Sequence, residues 1–166
     1  MNNLIEQLSE FFQKHERKFY QLGDKPVLEA VFNGKWGRWN TITVVNDDRE
    51  SVNFISLFPS HATEARRSVA AELLARLNFS LKHGNFELDY KDGEIRFKTS
   101  HFAPSQSLTA EEMEQLIFSN LNLVDTYYEV IMNVLHAGLT PERALARHKA
   151  RSRPKRANHK PRFEFN

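Results

Sequence analysis

Residues 84–100, Gly-Asn-Phe-Glu-Leu-Asp-Tyr-Lys-Asp-Gly-Glu-Ile-Arg-Phe-Lys-Thr-Ser, constrain the fold more than any other stretch of this chain. They alternate apolar and charged side chains on either side of Asp92-Gly93, a dipeptide suited to a two-residue type I′ hairpin turn. Counting outward from that turn sets Tyr90 opposite Ile95, Leu88 opposite Phe97 and Phe86 opposite Thr99. The other face then pairs Asp89 with Arg96 and Glu87 with Lys98. Each opposite-charge pair contributes roughly 0.2–1 kcal/mol. A slip of one residue would carry the aromatics into water, so one face is committed to a core. The same register assigns Glu87 and Asp89 to ion pairs, and so removes them as acid/base candidates.

The rest of the chain supplies what such a hairpin needs to pack against. Over residues 3–22, Leu4, Ile5, Leu8, Phe11 and Phe12 recur at helical spacing, and Gly23 is a natural stop. Strands are expected at 27–32, from Trp36 or Trp39 to Val45, and at 52–58, with Asn33-Gly34 and residues 46–49 as turns. A second helix, 61–79, places Val69, Ala70, Leu73, Leu74 and Leu77 on one face. The hairpin strands follow. Thr109 and Glu112 then form a capping box that opens a helix reaching Gly138. At about 28 residues this helix would be ~42 Å long, more than a five-stranded sheet needs for cover. The order helix, three strands, helix, two strands, helix predicts a single α+β domain with an antiparallel sheet over residues 1–138. Thr140-Pro141 starts a short basic helix over 139–150, and residues 151–166 have the composition of a basic disordered tail.

The hairpin carries a resemblance. The run Gly-Asn-Phe-Glu-Leu-Asp, a short turn and Gly-Glu-Ile-Arg-Phe-Lys-Thr-Ser resembles the signature of the YbjN-like family, whose description is "putative bacterial sensory transduction regulator". Residues 69–78, Val-Ala-Ala-Glu-Leu-Leu-Ala-Arg-Leu-Asn, resemble that family's helix before the hairpin, and Asn120-Leu121 a feature of its long helix. The match covers roughly residues 20 to 137. The family is similar in fold to the small chaperones of type III secretion, which bind partner polypeptides. The resemblance therefore implies a binding or regulatory module, with an unidentified protein or peptide as partner, and brings no catalytic residue and no cofactor with it.

Composition agrees with that class. The chain has no cysteine, which removes disulfides, thiolate catalysis and Cys-based zinc sites. No signal-peptide pattern opens it and no apolar run is long enough for a transmembrane helix, so a cytoplasmic protein without membrane insertion is expected. The seven histidines form neither an HxxxH nor an HExxH pattern, and GxSxG, GxGxxG and Walker-type loops are all absent from the sequence. No catalytic, metal or cofactor-binding residue is assigned, and the chain reads as a non-enzyme.

Charge is distributed unevenly. From Glu142 onward nine Lys/Arg stand against two acids, and before it fourteen stand against nineteen. Arg143, Arg147, Lys149, Arg151, Arg153, Lys155, Arg156, Lys160 and Arg162 are therefore candidate polyanion-binding residues. Two functional classes follow. One is a protein-binding module using a sheet edge or a groove beside the long helix, with a homodimer through that helix as a further expectation. The other is a nucleic-acid-associated regulator acting through the basic tail. Residues 162–166, Arg-Phe-Glu-Phe-Asn, alternate Phe with polar side chains as a short docking strand would.

Overall fold

The computed structural model describes residues 4–46, 50–103 and 107–152. Among the described residues, four helices and six strands run in the order α1 (Leu4–Lys14), β1 (Phe19–Gln21), β2 (Val27–Asn33), β3 (Arg38–Asn46), β4 (Ser51–Leu57), α2 (Glu64–Ser80), β5 (Asn85–Leu88), β6 (Ile95–Phe102), α3 (Ala110–His136) and α4 (Pro141–Ser152). The strands form one antiparallel sheet in the order β1-β2-β3-β4-β6-β5. The α+β class and the antiparallel sheet are as the sequence predicts.

The first helix is shorter than its periodicity suggests, and the sheet gains a strand in consequence. Arg17 N–H bonds Phe12 C=O at 2.8 Å and Glu16 N–H bonds Gln13 C=O at 2.9 Å, with Glu16 at φ +53°. That is a Schellman stop with glutamate, not glycine, in the left-handed position. Residues 15–22 therefore leave the helix, and Phe19–Gln21 pair with β2 instead. Gly23, expected to end the helix, sits in the β1–β2 turn at φ +56°.

The signature hairpin keeps its faces but not its register. Leu88 lies opposite Ile95, Glu87 opposite Arg96 and Phe86 opposite Phe97, a displacement of two residues from the expected pairing. Asp92-Gly93 does not close a two-residue turn. Asp89 N–H bonds Glu94 C=O at 2.9 Å and Gly93 N–H bonds Asp89 C=O at 2.8 Å, closing a four-residue loop in which Gly93 has φ +85°. The cause is tertiary. Gly93 C=O accepts from Ala62 N–H at 2.8 Å, and a Cβ on Gly93 would stand 2.0 Å from the Ala62 oxygen. A two-residue shift preserves side-chain parity, so Phe86, Ile95, Phe97 and Thr99 stay buried. Tyr90, expected in the apolar face, is instead exposed in the loop, and the Asp89 carboxylate accepts from Lys91 N–H at 2.8 Å instead of meeting Arg96.

One face of the sheet is buried beneath the helices. Leu28, Ala30, Phe32, Trp39, Val45, Val52, Phe54, Ile95 and Phe97 point into it and meet Leu8, Phe12, Leu73, Leu74, Leu77, Ile117, Val124 and Ile131 in a single core. The centre of α3 is tied to the sheet by polar groups. Asn120 is fully buried; its Nδ2 donates to Phe54 C=O at 2.9 Å and Phe97 C=O at 3.1 Å, while its Oδ1 accepts from Ser56 Oγ at 2.6 Å. Ser56 Oγ in turn accepts from Trp39 Nε1 at 3.1 Å. Thr109 and Glu112 form the expected capping box. At the other end of α3, Arg66 donates from Nε to Val134 C=O at 3.0 Å, a carbonyl in the last turn of the helix, and from Nη2 to Leu139 C=O at 2.9 Å in the loop that follows. The length of α3 beyond the sheet is used inside the molecule. On α4, Ala144 is buried, the His148 ring lies 5.4 Å from that of Tyr127, and Arg151 pairs with Glu129 at 2.5 Å.

Candidate protein-binding face

All four described helices lie on one side of the sheet, so none of them covers the opposite face. Strand alternation decides what stands on it: Tyr20 from β1, Val27, Glu29 and Val31 from β2, Asn40, Ile42 and Val44 from β3, Ile55 and Leu57 from β4. Cross-strand register joins them. Tyr20 is opposite Glu29, Glu29 opposite Ile42 and Ile42 opposite Ile55, while Val27 is opposite Val44 and Asn40 opposite Leu57. The aliphatic members form a band across three strands that ends at Tyr20, which is 72% exposed. A hollow of about 290 Å³ opens there, lined by Tyr20, Glu29, Val31, Asn40, Ile42 and Leu57. Contiguous apolar surface of this kind, rimmed by polar groups, marks an interaction site more often than scattered exposed residues do.

The far side of the band is charged and self-paired. Glu87 receives Arg96 Nε and Lys98 Nζ at 2.5 Å each, and Asn85 Nδ2 at 2.9 Å. Burial works to raise the Glu87 carboxyl, but hydrogen bonds from Lys98, Asn85 and Arg96 outweigh it and bring it down to about 2. This carboxylate is an architectural anion. Glu112 is likewise lowered, first by the Thr109 backbone N–H and then by its hydroxyl, which is its helix-capping role.

The two sheet edges differ. On β5, the Asn78 side chain donates from Nδ2 to Phe86 C=O at 2.9 Å and accepts at Oδ1 from Phe86 N–H at 2.8 Å. The carboxamide thus takes the place a neighbouring strand would occupy. On β1, Leu22 N–H bonds Val27 C=O at 3.1 Å, so by alternation Tyr20 exchanges its backbone bonds with Glu29 and the Phe19 and Gln21 N–H groups point outward. Among the described residues no backbone group bonds to either of those N–H groups. The groove beside α3, an alternative docking place by sequence, is filled along part of its length by α4.

The basic candidates divide. Arg143, Arg147 and Lys149 are exposed on α4, whereas Arg151 is held by Glu129. Arg153, Lys155, Arg156, Lys160 and Arg162 lie outside the described residues. Among the described residues no group of three or more His, Asp or Glu side chains converges as a metal site. None of the described helices is long and apolar enough to cross a membrane. The sequence hides Tyr20 as a site residue, because the helical periodicity of 4–12 predicts a helix that runs past residue 14. The alternation in Phe19-Tyr20-Gln21 was its only signal.

A search of curated proteins returned no match. Among solved structures, YbjN from E. coli superposes with a TM-score of 0.56 at 15% identity, covering 81% of this chain and 90% of that one. The ExsC–ExsE complex gives 0.52 at 16% identity over 75% of this chain and 90% of the matched chain. The HopA1–SchA chaperone–effector complex gives 0.50 at 18%, over 73% and 91%. At these identities the likeness establishes the fold, one shared with type III secretion chaperones. The YbjN family model, described as "putative bacterial sensory transduction regulator", matches residues 4–132. With its hairpin, its two anchoring asparagines and most of its length inside that match, the chain belongs to the YbjN family.

Proposed function

We propose that this chain is a non-enzymatic, cytoplasmic protein-binding module that holds a polypeptide partner on the open face of its sheet. The observation that carries the reading is the aliphatic band Val27, Val44, Ile42, Ile55 and Leu57, bordered by Tyr20 and Val31, which no described helix covers. An apolar sheet face in water is costly unless something uses it. Support comes from the fold, which recurs in chaperones crystallised with their partner proteins. The paired state of Glu87 and Glu112 supports a role through contact. Ile42→Thr together with Ile55→Thr keeps β-branched residues in the strands and removes the apolar surface. Affinity capture from cell extract followed by mass spectrometry should recover a protein with the native chain and lose it with the double variant, at unchanged circular dichroism. Equal capture by both overturns the assignment of this face.

A second reading has its own observation. Arg143, Arg147 and Lys149 stand exposed along α4 and lead into the basic residues beyond it. On this reading the chain binds a nucleic-acid backbone, with a steep dependence on salt. Gel shift at several salt concentrations, with Arg143→Ala and Arg147→Ala as the variant, tests it. Absence of binding at low salt removes it.

A further inference from the structure

We infer that the open face takes its partner polypeptide as an extended segment laid along β3, with a cation, an aliphatic side chain and an acid at alternate positions. The inference rests on the reading of that face given above and adds the partner's chemistry to it.

The place is one continuous groove. The hollow at Tyr20 is lined by Glu29, Val31 and Ile42, and a second hollow of about 460 Å³ is lined by Arg38, Pro59, His61 and Glu94. Asn40 and Leu57 border both hollows and are cross-strand partners, so the two join over that pair. Ile42, Asn40 and Arg38 alternate along β3 beneath the groove. Val31 of β2 and Leu57 of β4 stand on either side of Asn40.

The groove is polarised. Glu29 and Arg38 are both exposed, and among the described residues neither has an ion-pair partner. Glu29 has only uncharged neighbours, Tyr20 and Ile42 across the strands and Val27 and Val31 along its own. The charges nearest Arg38 cancel one another: Glu87 pairs with Arg96 and Lys98 at 2.5 Å, and Glu94 lies 4.0 Å from Arg96. Asp92 turns its carboxylate to the Glu94 N–H at 2.9 Å, inside its own loop. One acid is thus left at the Tyr20 end and one base at the other.

Their separation sets the spacing of the partner. Glu29 is opposite Ile42, and Arg38 lies four residues from Ile42 along β3, about 13 Å at the rise of a strand. A partner strand covers the same distance in four residues, and its side chains at the first, third and fifth positions all face the groove. The outer two meet Glu29 and Arg38 with opposite charge. The middle one lies between Val31 and Leu57, where an aliphatic group loses most water.

A phage-displayed library of random dodecapeptides, selected on the full chain, tests this. Enriched sequences should carry Lys or Arg, then Leu, Ile or Val, then Asp or Glu at alternate positions, with the same chain direction throughout. On the Arg38→Glu chain the acid should give way to Lys or Arg, and on the Glu29→Lys chain the cation should give way to Asp or Glu. A synthetic peptide from the native selection should bind each of these variants about fivefold more weakly, the size of one exposed ion pair. Enrichment of aliphatic peptides without the charges, the same selection by native and charge-reversed chains, or no enrichment at all overturns the inference. The Ile42→Thr/Ile55→Thr chain separates the two readings. Selected peptides that bind it as well as the native chain overturn the face itself. Peptides that lose binding there yet ignore both charge reversals overturn the charge pattern alone.

Discussion

Asn120, at the middle of α3, donates to the main-chain carbonyl of Phe54 in β4 at 2.9 Å, a helix side chain bonded to strand backbone inside a core. The same amide reaches Phe97 C=O and accepts from Ser56. One side chain thereby fixes how the longest helix crosses the neighbouring strands β4 and β6.

Asn120→Ala removes those bonds and leaves the Ser56 hydroxyl without its acceptor, a loss of about 2–4 kcal/mol. Urea unfolding of the variant should show the midpoint falling with an unchanged slope. Ser56→Ala made with Asn120→Leu should recover part of the loss, which a double-mutant cycle will register as coupling.

Glu87→Gln tests the charged flank. The Glu87 carboxyl lies near 2 in the folded chain, below its ordinary value of 4.5. A lowered acid stabilises above its ordinary value, and that contribution is lost as pH falls toward the folded value. The variant should be less stable by roughly 1–2 kcal/mol at pH 7, allowing for solvent around Arg96 and Lys98. The gap should narrow from pH 4.5 down to pH 3. Denaturant titrations at pH 7, 4.5 and 3 read the trend; a gap independent of pH would refute it.

Gly93→Ala places a methyl group against the Ala62 carbonyl oxygen at a residue with φ +85°. Strain and contact together should cost about 2–4 kcal/mol. Thermal unfolding will show it. Gly23→Ala, also at positive φ but with open space around its Cβ, should cost less.

Asn78→Ala uncovers the backbone of Phe86 on β5. Stability should fall by roughly 1–2 kcal/mol. The freed edge should also give concentration-dependent self-association in sedimentation experiments. A variant that stays monomeric at every concentration would show that Asn78 is not what seals this edge.

How far the sequence reveals this molecule varies from element to element. The capping box of Thr109 and Glu112 is a local signal and is found where expected. The faces of the 84–100 hairpin are legible because alternation is local too. Its register is not, because Ala62, some thirty residues earlier, grips Gly93 and enlarges the loop. The stop at Glu16 is hidden because glutamate carries no advertisement of a left-handed backbone. The candidate face was hidden for a different reason. Ile42, Val44 and Ile55 read as core like any strand aliphatic, and only the placement of every helix on one side leaves them outside. The basic residues of α4 were plain in composition, but the pairing of Arg151 with Glu129 depends on where α4 lands.

A sheet dressed on a single side divides its own vocabulary. In β2, β3 and β4 every second letter answers to the interior and the letters between answer only to whatever the molecule meets. Descendants of this chain can therefore rewrite Ile42, Ile55 or Leu57 to suit a new acquaintance while Phe54, Ser56 and Trp39 keep the frame unaltered.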